Sequence, residues 1–525
     1  MTRLVRAAGS ISAFTLLSRI FGLWRDRLMA QTLGAGWVQD TFLLAWMLPN
    51  LMRRLLGEGA LSASLLPAYT KLRRTDPAAA RTLLAQVMGT VVTILTPLCL
   101  VVAVASLLVP AEWLPAPAEG GVAAMRLLLL LNSILFIYAL PVCLTAVCAG
   151  ALNTLGVFGL PAAVPILLNL FWIVALLVAH PLGITIDTSV ATFAAVCLCV
   201  GGFAQLLLVL VPLLRRGFGS SPRLGLPARG TKAAAVFVAM GPTVVGMSLN
   251  QVSSLLDQGM AYYLLAEGAV TYIYLANRLL LFPHALTAMS VAVAVFPKLS
   301  HEAGDVDRTA MRRTLDLAAA ATVLVTVPAS LGLIVLGDDV VRVLFLGGEF
   351  GEHDVWPTVL TSSCLVAGLP FIGLAQLYAR AFYAVGDNAT PARVAARLMV
   401  ANAGLNLLLL LTTNLGTAAL TMSSSLSALA NAFVLSRRFR AHVPAAPGLG
   451  GAWLRTALAT AAMCSVLPFV KFVAADAGTL ARAFGNVAAP ILIGIAVYLG
   501  AHLLLRSPEL RVLRRRRRPP VTPAE

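Results

Sequence analysis

Residues 122–148 read VAAMRLLLLLNSILFIYALPVCLTAVC, a stretch in which Arg126 is the only charged side chain. A bilayer has a hydrocarbon core about 30 Å thick, which roughly 20 apolar residues in a helix can cross. The run Leu127–Leu131 is continuously apolar, as is Leu407–Leu411 further along, whereas the strands of a membrane β-barrel alternate between apolar and polar residues. The stretch therefore predicts a transmembrane helix and excludes a β-barrel.

Apolar stretches of this kind recur along the whole chain. Of its 525 residues, 59% are hydrophobic and 12% charged, and the mean hydropathy is +0.88, whereas a soluble domain carries roughly a quarter charged residues. An all-α integral membrane protein is expected, with about fourteen transmembrane helices, or about twelve if two segments are misread. The spans are predicted near residues 10–30, 38–56, 84–110, 122–148, 161–180, 189–213, 234–262, 268–297, 314–336, 357–384, 391–413, 416–436, 452–474 and 484–505.

The net charge of +17 is spread along the chain in an alternating pattern. Basic residues occupy every second segment between predicted helices, and the intervening segments carry acidic ones such as Glu112, Asp187 and Glu267. By the positive-inside rule, both termini are predicted to be cytoplasmic. The terminal run Arg514–Arg518 then faces anionic lipid headgroups, and no nucleic-acid partner is expected.

Motifs for catalysis and for metal binding are missing from the sequence. It contains no Walker A loop, no G-x-S-x-G elbow and no His/Cys spacing that suits a metal. All seven cysteines fall within predicted spans, which argues against a disulfide framework. The chain is therefore predicted not to be an enzyme, and ATP-driven transport loses support.

The two halves of the chain contain an internal repeat. The segment from Ala151 to Pro161 shares the spacing A-x4-G-x4-P with the segment from Ala381 to Pro391, and an offset of 230 residues also relates Pro67 to Pro297. Six predicted helices separate corresponding points, so two six-helix lobes with the same orientation are expected, related by a pseudo-two-fold axis along the membrane normal. Such lobes can rock around a central cavity. The alternative is that the repeated spacing arises by chance, because glycine and proline are common in turns between helices.

The repeat sets the predicted domain boundaries. They are an N-terminal lobe at 1–216, a cytoplasmic linker at 217–231, a C-terminal lobe at 232–440, two extra transmembrane helices at 441–510 and a basic cytoplasmic tail at 511–525.

Arginines inside the predicted spans are the strongest functional signal. A charge near the bilayer centre costs roughly 3 kcal/mol and needs a partner or a water-filled cavity. The candidate functional arginines among them are Arg19, Arg25, Arg53 and Arg278. The intramembrane carboxylates are too few to neutralise them all, being mainly Asp26, Asp40, Glu58 and Asp257. An anionic ligand is expected, and a pyrophosphate suits the planar donor fork of several guanidinium groups.

A purely structural explanation of the same residues stays open at this point. Arg19 would pair with Asp40, Arg53 and Arg54 would reach the cytoplasmic interface, and Arg278 would cap a helix. Pro49 with Asn50, and Pro283, lie within predicted spans, where proline removes a backbone hydrogen bond and permits a bend. Such bends could splay the lobes and form a portal.

Longer motifs carry a family resemblance over nearly the whole chain. They are Ser18-Arg19-Ile-Phe-Gly22-Leu-Trp-Arg25-Asp26, Gly34-Ala-Gly36, Leu48-Pro49-Asn50-Leu-Met-Arg53-Arg54, Glu58-Gly59-Ala60, Ala276-Asn277-Arg278-Leu279, Leu346-Gly-Gly-Glu-Phe350 and Thr390-Pro391. In these motifs the chain resembles the MurJ/MviN family, part of the multidrug/oligosaccharidyl-lipid/polysaccharide exporter superfamily. The resemblance implies two six-helix lobes plus two C-terminal helices, in agreement with the count and the repeat.

The resemblance also implies a function and a set of site residues. The expected activity is flipping of lipid II, the undecaprenyl-pyrophosphate-linked peptidoglycan precursor, to the outer leaflet of the bacterial cytoplasmic membrane. Carried over by motif, the cavity residues are Arg19, Arg25, Asp40, Arg53 and Arg278, and the portal residues are Pro49, Asn50, Glu58 and Pro283. The last two helices would complete a groove for the polyprenyl tail. Cell-wall synthesis proteins are candidate partners.

The family resemblance further raises Na⁺ as a coupling ion, with membrane potential as the other driver. The candidate ligands are Asp257, Asn402, Asn406 and Thr421, although Asn406 lacks the expected charge. No other cofactor is predicted. Rival functions are export of another polyprenyl-linked saccharide, and multidrug or cation antiport, which would require an acidic cavity.

Overall fold

The computed structural model describes residues 2–54, 61–217, 223–286, 288–305, 307–443, 450–470, 481 and 483–507. Within these ranges the chain is helical, and pairing of extended backbone is limited to one isolated bridge between Gly347 and Phe350. The predicted all-α class is confirmed.

Each predicted span coincides with one helix or with two consecutive ones. The first half contains α1 (Thr2–Leu33), α2 (Trp37–Met52), α3 (Leu61–Thr75), α4 (Pro77–Leu108), α5 (Gly121–Leu135), α6 (Ala139–Thr154), α7 (Gly159–Ala179) and α8 (Asp187–Arg215). The second half contains α9 (Lys232–Leu264), α10 (Ala269–Leu286), α11 (Ala288–Glu302), α12 (Thr309–Val335), α13 (Gly337–Phe345), α14 (Glu352–Val366), α15 (Leu369–Ala384), α16 (Ala389–Thr412), α17 (Thr417–Phe439), α18 (Gly450–Val466) and α19 (Ala489–Leu504).

Ten helical segments in the described part of the chain are long and apolar enough to cross a bilayer. Two of them are composite, because α5 joins α6 and α14 joins α15 into continuous crossings. The chain is thus a multi-pass membrane protein. Two further apolar helical stretches in the described residues, Lys232–Gly241 and Ala269–Leu281, are shorter than these ten. The number fourteen therefore stays a prediction.

Helix ends follow local capping chemistry. Asp76 accepts a hydrogen bond from the backbone N–H of Ala79 at 2.9 Å, and Pro77 occupies the first position of α4, where its missing N–H is harmless. The two repeated glycines, Gly156 and Gly386, follow α6 and α15 with φ of 78° and 82°. These left-handed conformations favour glycine and end both helices in the same way.

The hydrogen bonds after the two glycines repeat as well. Val157 donates its N–H to the carbonyl of Leu152 at 3.0 Å, and Asp387 donates its N–H to the carbonyl of Phe382 at 3.0 Å. These are the six-to-one bonds of a Schellman motif. The local structure of the repeat is therefore the same in both halves.

Contacts divide the chain into two compact units. The first comprises Met1–Thr271 with Gly347–Gly351, and the second comprises Tyr272–Leu346 with Glu352–Glu525. In the first unit α3 packs on α4 and α6, and α8 packs on α5, α6 and α7. In the second unit α11 packs on α12 and α15, and α17 packs on α14, α15 and α16. An offset of 230 residues thus relates the helix pairings of the two units as well.

The remaining helices, α9, α18 and α19, can also be assigned to one unit each. α18 packs on α12 and α19, within the second unit. α9 packs on α2 and α3 and so belongs to the first unit. The predicted lobe boundaries at 216 and 232 follow the sequence repeat and stay a prediction, and the tail at 511–525 lies outside the described residues.

Candidate functional site

Arg25 is buried inside the first unit, on the face of α1 that packs along α7. Its side chain is 8% exposed. Its Nε and Nη2 donate to Oδ1 of Asp26 at 2.9 and 2.5 Å, and its Nη1 donates to Oδ1 of Asn169 at 3.0 Å. The guanidinium carbon also lies 4.4 Å from the ring centre of Trp172. Burial of this charge is therefore balanced by a carboxylate, an amide and an aromatic face.

The residues around Arg25 form a connected polar and aromatic network. The amide of Asn169 donates to the carbonyl of Ser18 at 3.1 Å and so fixes α1 against α7. Trp172 contacts Phe42 and Trp46, with ring centres 5.4 and 5.3 Å apart. Because a guanidinium in such a cage has its donors already directed, Arg25 is held in one orientation.

Arg19 has a different environment from Arg25. The two residues are six positions apart in α1, so at about 100° per residue they point roughly 120° away from each other. Arg19 is exposed, and so are its apolar neighbours Leu16 and Ile20, at 62% and 58%. Within the described part of the chain, Arg19 forms no ion pair. This helix face therefore presents a cation among apolar side chains.

Asp40 does not pair with Arg19 in the structure. The carboxylate of Asp40, 3% exposed, accepts two hydrogen bonds through Oδ1, from the backbone N–H of Thr271 at 2.8 Å and from its hydroxyl at 2.7 Å. Thr271 lies in the first turn of α10, where backbone N–H groups are unpaired and the helix dipole favours a negative charge. The alternative in which Arg19 pairs with Asp40 is thus wrong, and Asp40 anchors the start of α10.

The start of α2 makes further contacts with the end of α9. The hydroxyls of Thr41 and Tyr262 lie 3.0 Å apart, and the backbone N–H of Trp37 lies 3.4 Å from Oε2 of Glu267. Together with Asp40, these contacts join three helix ends at one end of the first unit.

Arg53 lies at the end of α2, after the proline at position 49. Its Nε donates to Oδ1 of Asn50 at 3.1 Å, and its side chain is half-buried. Arg54 is exposed and donates to the side-chain oxygen of Gln251 on α9 at 3.3 Å. The predicted portal residues Pro49 and Asn50 therefore lie beside Arg53, which is predicted to line the cavity, whereas Glu58 lies outside the described residues.

Arg278 belongs to the second unit. Its Nη2 donates to the hydroxyl of Tyr274, one turn earlier in α10, at 2.6 Å. Its guanidinium carbon lies 4.7 Å from the centre of the same ring. Arg278 is half-buried and lies in the middle of α10, so the alternative role as a helix cap is not what the structure has. Pro283 follows in the same helix.

The proposed sodium ligands are distributed over both units. Asp257 lies in the first unit, whereas Asn402, Asn406 and Thr421 are buried in the second. The hydroxyl of Ser423 contacts the side-chain oxygens of both asparagines, at 3.2 Å for Asn402. Amide and hydroxyl oxygens suit a hard cation, whereas the hydroxyl of Thr421 donates to the carbonyl of Thr361 at 3.0 Å. The sodium site stays a prediction. In the described part of the chain, no group of three or more acidic, histidine or cysteine side chains could hold a metal.

Sequence reasoning missed the partners that position these arginines. Asn169 is a lone amide within the apolar run Ile166–Phe171, and Trp172 follows three residues later on the same helix face. An isolated amide in a transmembrane segment is a usable signal, because it needs a buried polar partner. Thr271 and Tyr274 carried no comparable signal.

Comparison with solved structures shows which fold the chain has. A structure described as lipid II flippase MurJ in an inward closed conformation matches with a TM-score of 0.76 at 23% identity, covering 96% of this chain and 99% of that chain. An inward-facing multidrug resistance MATE family transporter of the MOP superfamily matches with a TM-score of 0.63 at 15% identity, covering 83% of this chain and 98% of that one. This chain therefore shares the fold of these two structures.

Comparison with sequences gives the family. The model for lipid II flippase MurJ matches residues 29–486. The lipid II flippase MurJ of Burkholderia cenocepacia is 31% identical over 467 residues, covering 86% of each chain. The probable lipid II flippase MurJ of Vibrio cholerae is 31% identical over 442 residues, covering 83% of this chain and 82% of that one. The chain belongs to the MurJ family of lipid II flippases.

Proposed function

We propose that this chain moves lipid II from the inner to the outer leaflet of the bacterial cytoplasmic membrane by alternating access. The observation that carries the proposal is Arg19, an exposed guanidinium without an ion pair on an apolar face of a membrane helix. A charge in this setting calls for an anion or a water-filled cavity. The diphosphate of a polyprenyl-linked precursor supplies two phosphoryl groups that a guanidinium can bind in bidentate fashion.

The arginines then take different roles. Arg19 engages the diphosphate directly, since its side chain is accessible without displacing a counter-ion. Arg25 is neutralised by Asp26 and oriented by Asn169, so it reaches cargo by exchanging one anion for another. Arg53 and Arg278 complete the cationic set.

Other predicted residues shape the path rather than bind the diphosphate. Asp40 holds the start of α10 through Thr271. Pro49, Asn50, Glu58 and Pro283 form the portal, and α18 and α19 provide the groove for the polyprenyl tail.

Several further features belong to the same proposal. Both termini are cytoplasmic, in keeping with the alternating loop charges. Transport is driven by membrane potential or by Na⁺ held among Asp257, Asn402, Asn406 and Thr421, and moving one charge through 100 mV supplies about 2.3 kcal/mol. No covalent step is required of the protein, so it acts as a transporter without catalytic residues. Cell-wall synthesis proteins are its expected partners.

Binding of purified lipid II tests the cargo and the arginine role together. The native chain and an Arg19→Gln variant would be compared by native mass spectrometry with lipid II, undecaprenyl monophosphate and a cationic drug as competing ligands. Arg19→Gln is a suitable variant because the side chain is exposed and supports no packing. We expect the native chain to prefer lipid II and the variant to lose about tenfold in affinity, the equivalent of one charge-assisted hydrogen bond.

The competing ligands separate the rival functions. Preference for the cationic drug would support an antiporter of the same superfamily. Equal binding of lipid II and of a different undecaprenyl-diphosphate saccharide would support a broader exporter. Unchanged affinity in Arg19→Gln would remove Arg19 from the cargo site.

A further inference from the structure

Residues 223–229, which we call the strap, run along the surface of α4 and are bonded to it through the backbone. The N–H of Arg223 donates to the carbonyl of Ala85 at 3.0 Å. The N–H of Gly225 donates to the hydroxyl of Thr93 at 2.9 Å, and the carbonyl of Gly225 lies 3.2 Å from the hydroxyl of Thr90. The strap is thus attached to α4 by hydrogen bonds.

Gly89 makes this close approach possible. A Cβ built on Gly89 would lie 1.9 Å from the carbonyl oxygen of Arg223 and 2.3 Å from its carbonyl carbon. Real atoms do not approach so closely, and the obstacle is backbone rather than the end of a flexible side chain. Any larger residue at position 89 must therefore displace the strap.

The position of the strap along α4 places it at the edge of the hydrocarbon core. The lipid-facing part of α4 carries exposed Ile94, Leu100, Val104 and Leu108, and Trp113 follows at 81% exposure, as expected of an aromatic residue at an interface. Counting back roughly 20 residues, the thickness of the core, from Leu108 reaches Gly89. Backbone at this depth needs internal hydrogen-bond partners, and the threonine hydroxyls of α4 provide them.

The outward side of the strap is amphipathic. Leu224 and Leu226 are 72% and 70% exposed. Arg223 and Arg229 are exposed beside them. Alternation of arginine with large apolar residues at a hydrocarbon edge is the composition of interfacial membrane anchors, in which apolar groups insert and cations meet phosphate.

We propose that the strap is a binding site for the headgroups of anionic phospholipids. Arg223 and Arg229 contact the lipid phosphates, and Leu224 and Leu226 insert among the acyl chains. The site lies on the lipid-facing side of α4 and is separate from the cargo site. It fixes the connection between α8 and α9 to the membrane surface.

Local lipid quenching tests this site in the full chain. An environment-sensitive fluorophore would be attached at Leu226→Cys, with the labelled native chain as background, because its seven cysteines are buried or half-buried. The protein would be placed in mixed bilayers containing brominated phosphatidylglycerol or brominated phosphatidylcholine at the same mole fraction. We expect quenching by both lipids and an enrichment of phosphatidylglycerol of at least about fivefold, from the contribution of a single cation.

Variants in the same labelled chain identify the cause of the enrichment. The double variant Arg223→Gln with Arg229→Gln should reduce the preference for phosphatidylglycerol to near unity. The matched control is Arg126→Gln, which changes an exposed arginine in the first turns of α5 and should leave the preference unchanged. Gly89→Leu should move the fluorophore away from the quencher.

Three outcomes would overturn the proposal. Absence of quenching by either lipid would place the strap in water. Equal quenching by the two lipids would show that the strap does not distinguish anionic from zwitterionic headgroups. An enrichment of phosphatidylglycerol that persists in the double arginine variant would show that other cations cause it.

Discussion

Removal of the Arg25 side chain is expected to destabilise the first unit, because it breaks the buried ion pair between Arg25 and Asp26. Asp26 is 2% exposed and accepts two hydrogen bonds from Arg25. Removing one partner of a buried ion pair costs about 3–5 kcal/mol, and loss of the guanidinium from the face of Trp172 acts in the same direction. Arg25→Ala should therefore lower the free energy of unfolding by about 3–5 kcal/mol.

A double substitution separates the loss of the charge pair from loss of the side chain. Arg25→Met with Asp26→Leu replaces both charged side chains by apolar ones of similar size. Such replacements often leave the free energy of unfolding unchanged. The remaining deficit is the unsatisfied amide oxygen of Asn169, about 1–3 kcal/mol. We therefore expect the double variant to be more stable than Arg25→Ala.

Tryptophan fluorescence during unfolding in sodium dodecyl sulfate provides the assay, because the fully buried Trp172 lies beside Arg25. Arg19→Ala is the matched control, since its side chain is exposed and its removal should change the stability by less than about 0.5 kcal/mol. A double variant as unstable as Arg25→Ala would refute the reasoning, because the cost would then not come from breaking the ion pair.

Three further predictions concern helix ends. Gly156→Ala should cost about 1–2 kcal/mol in unfolding free energy, because φ is 78° there while nothing lies within 4 Å of the added Cβ; a cost near zero would contradict this. Asp40→Ala should cost about 1–3 kcal/mol by leaving the N–H of Thr271 unsatisfied, and Asp40→Asn should cost less in the same unfolding assay. Hydrogen bonds from the hydroxyl and the backbone N–H of Thr390 lower the pKa of Asp387. Their contribution to stability is therefore present above the usual carboxyl pKa and is lost as pH falls through the lowered pKa. Unfolding measured as a function of pH should show that loss in the native chain and not in Asp387→Asn.

The sequence was sufficient to predict the helices and the repeat, because both depend on local properties. An apolar stretch of crossing length, such as residues 122–148, predicts a membrane helix from the local sequence alone. Gly156 and Gly386 end their helices for a reason confined to one residue, the left-handed backbone.

The site was only partly predictable, because its contacts join residues that are distant in the chain. The arginines could be named from their positions in apolar segments, but Asn169 is 144 positions from Arg25, and no periodicity predicts such a pairing. Counting charges in the sequence does not show which of the four arginines has a carboxylate partner. Packing instead buries Arg25 with Asp26 and leaves Arg19 exposed, a division that depends on which face of α1 meets α7.

Translocation of lipid II in cells depleted of their own flippase tests the central claim most directly. Outer-leaflet lipid II would be measured in cells that express either the native chain or Arg19→Ala, with equal amounts of inserted protein. We predict that the native chain restores outer-leaflet lipid II and that Arg19→Ala, although stable and inserted, does not. Failure of the inserted native chain would contradict the assignment of lipid II as cargo, and full activity of Arg19→Ala would contradict the role of this arginine in moving it.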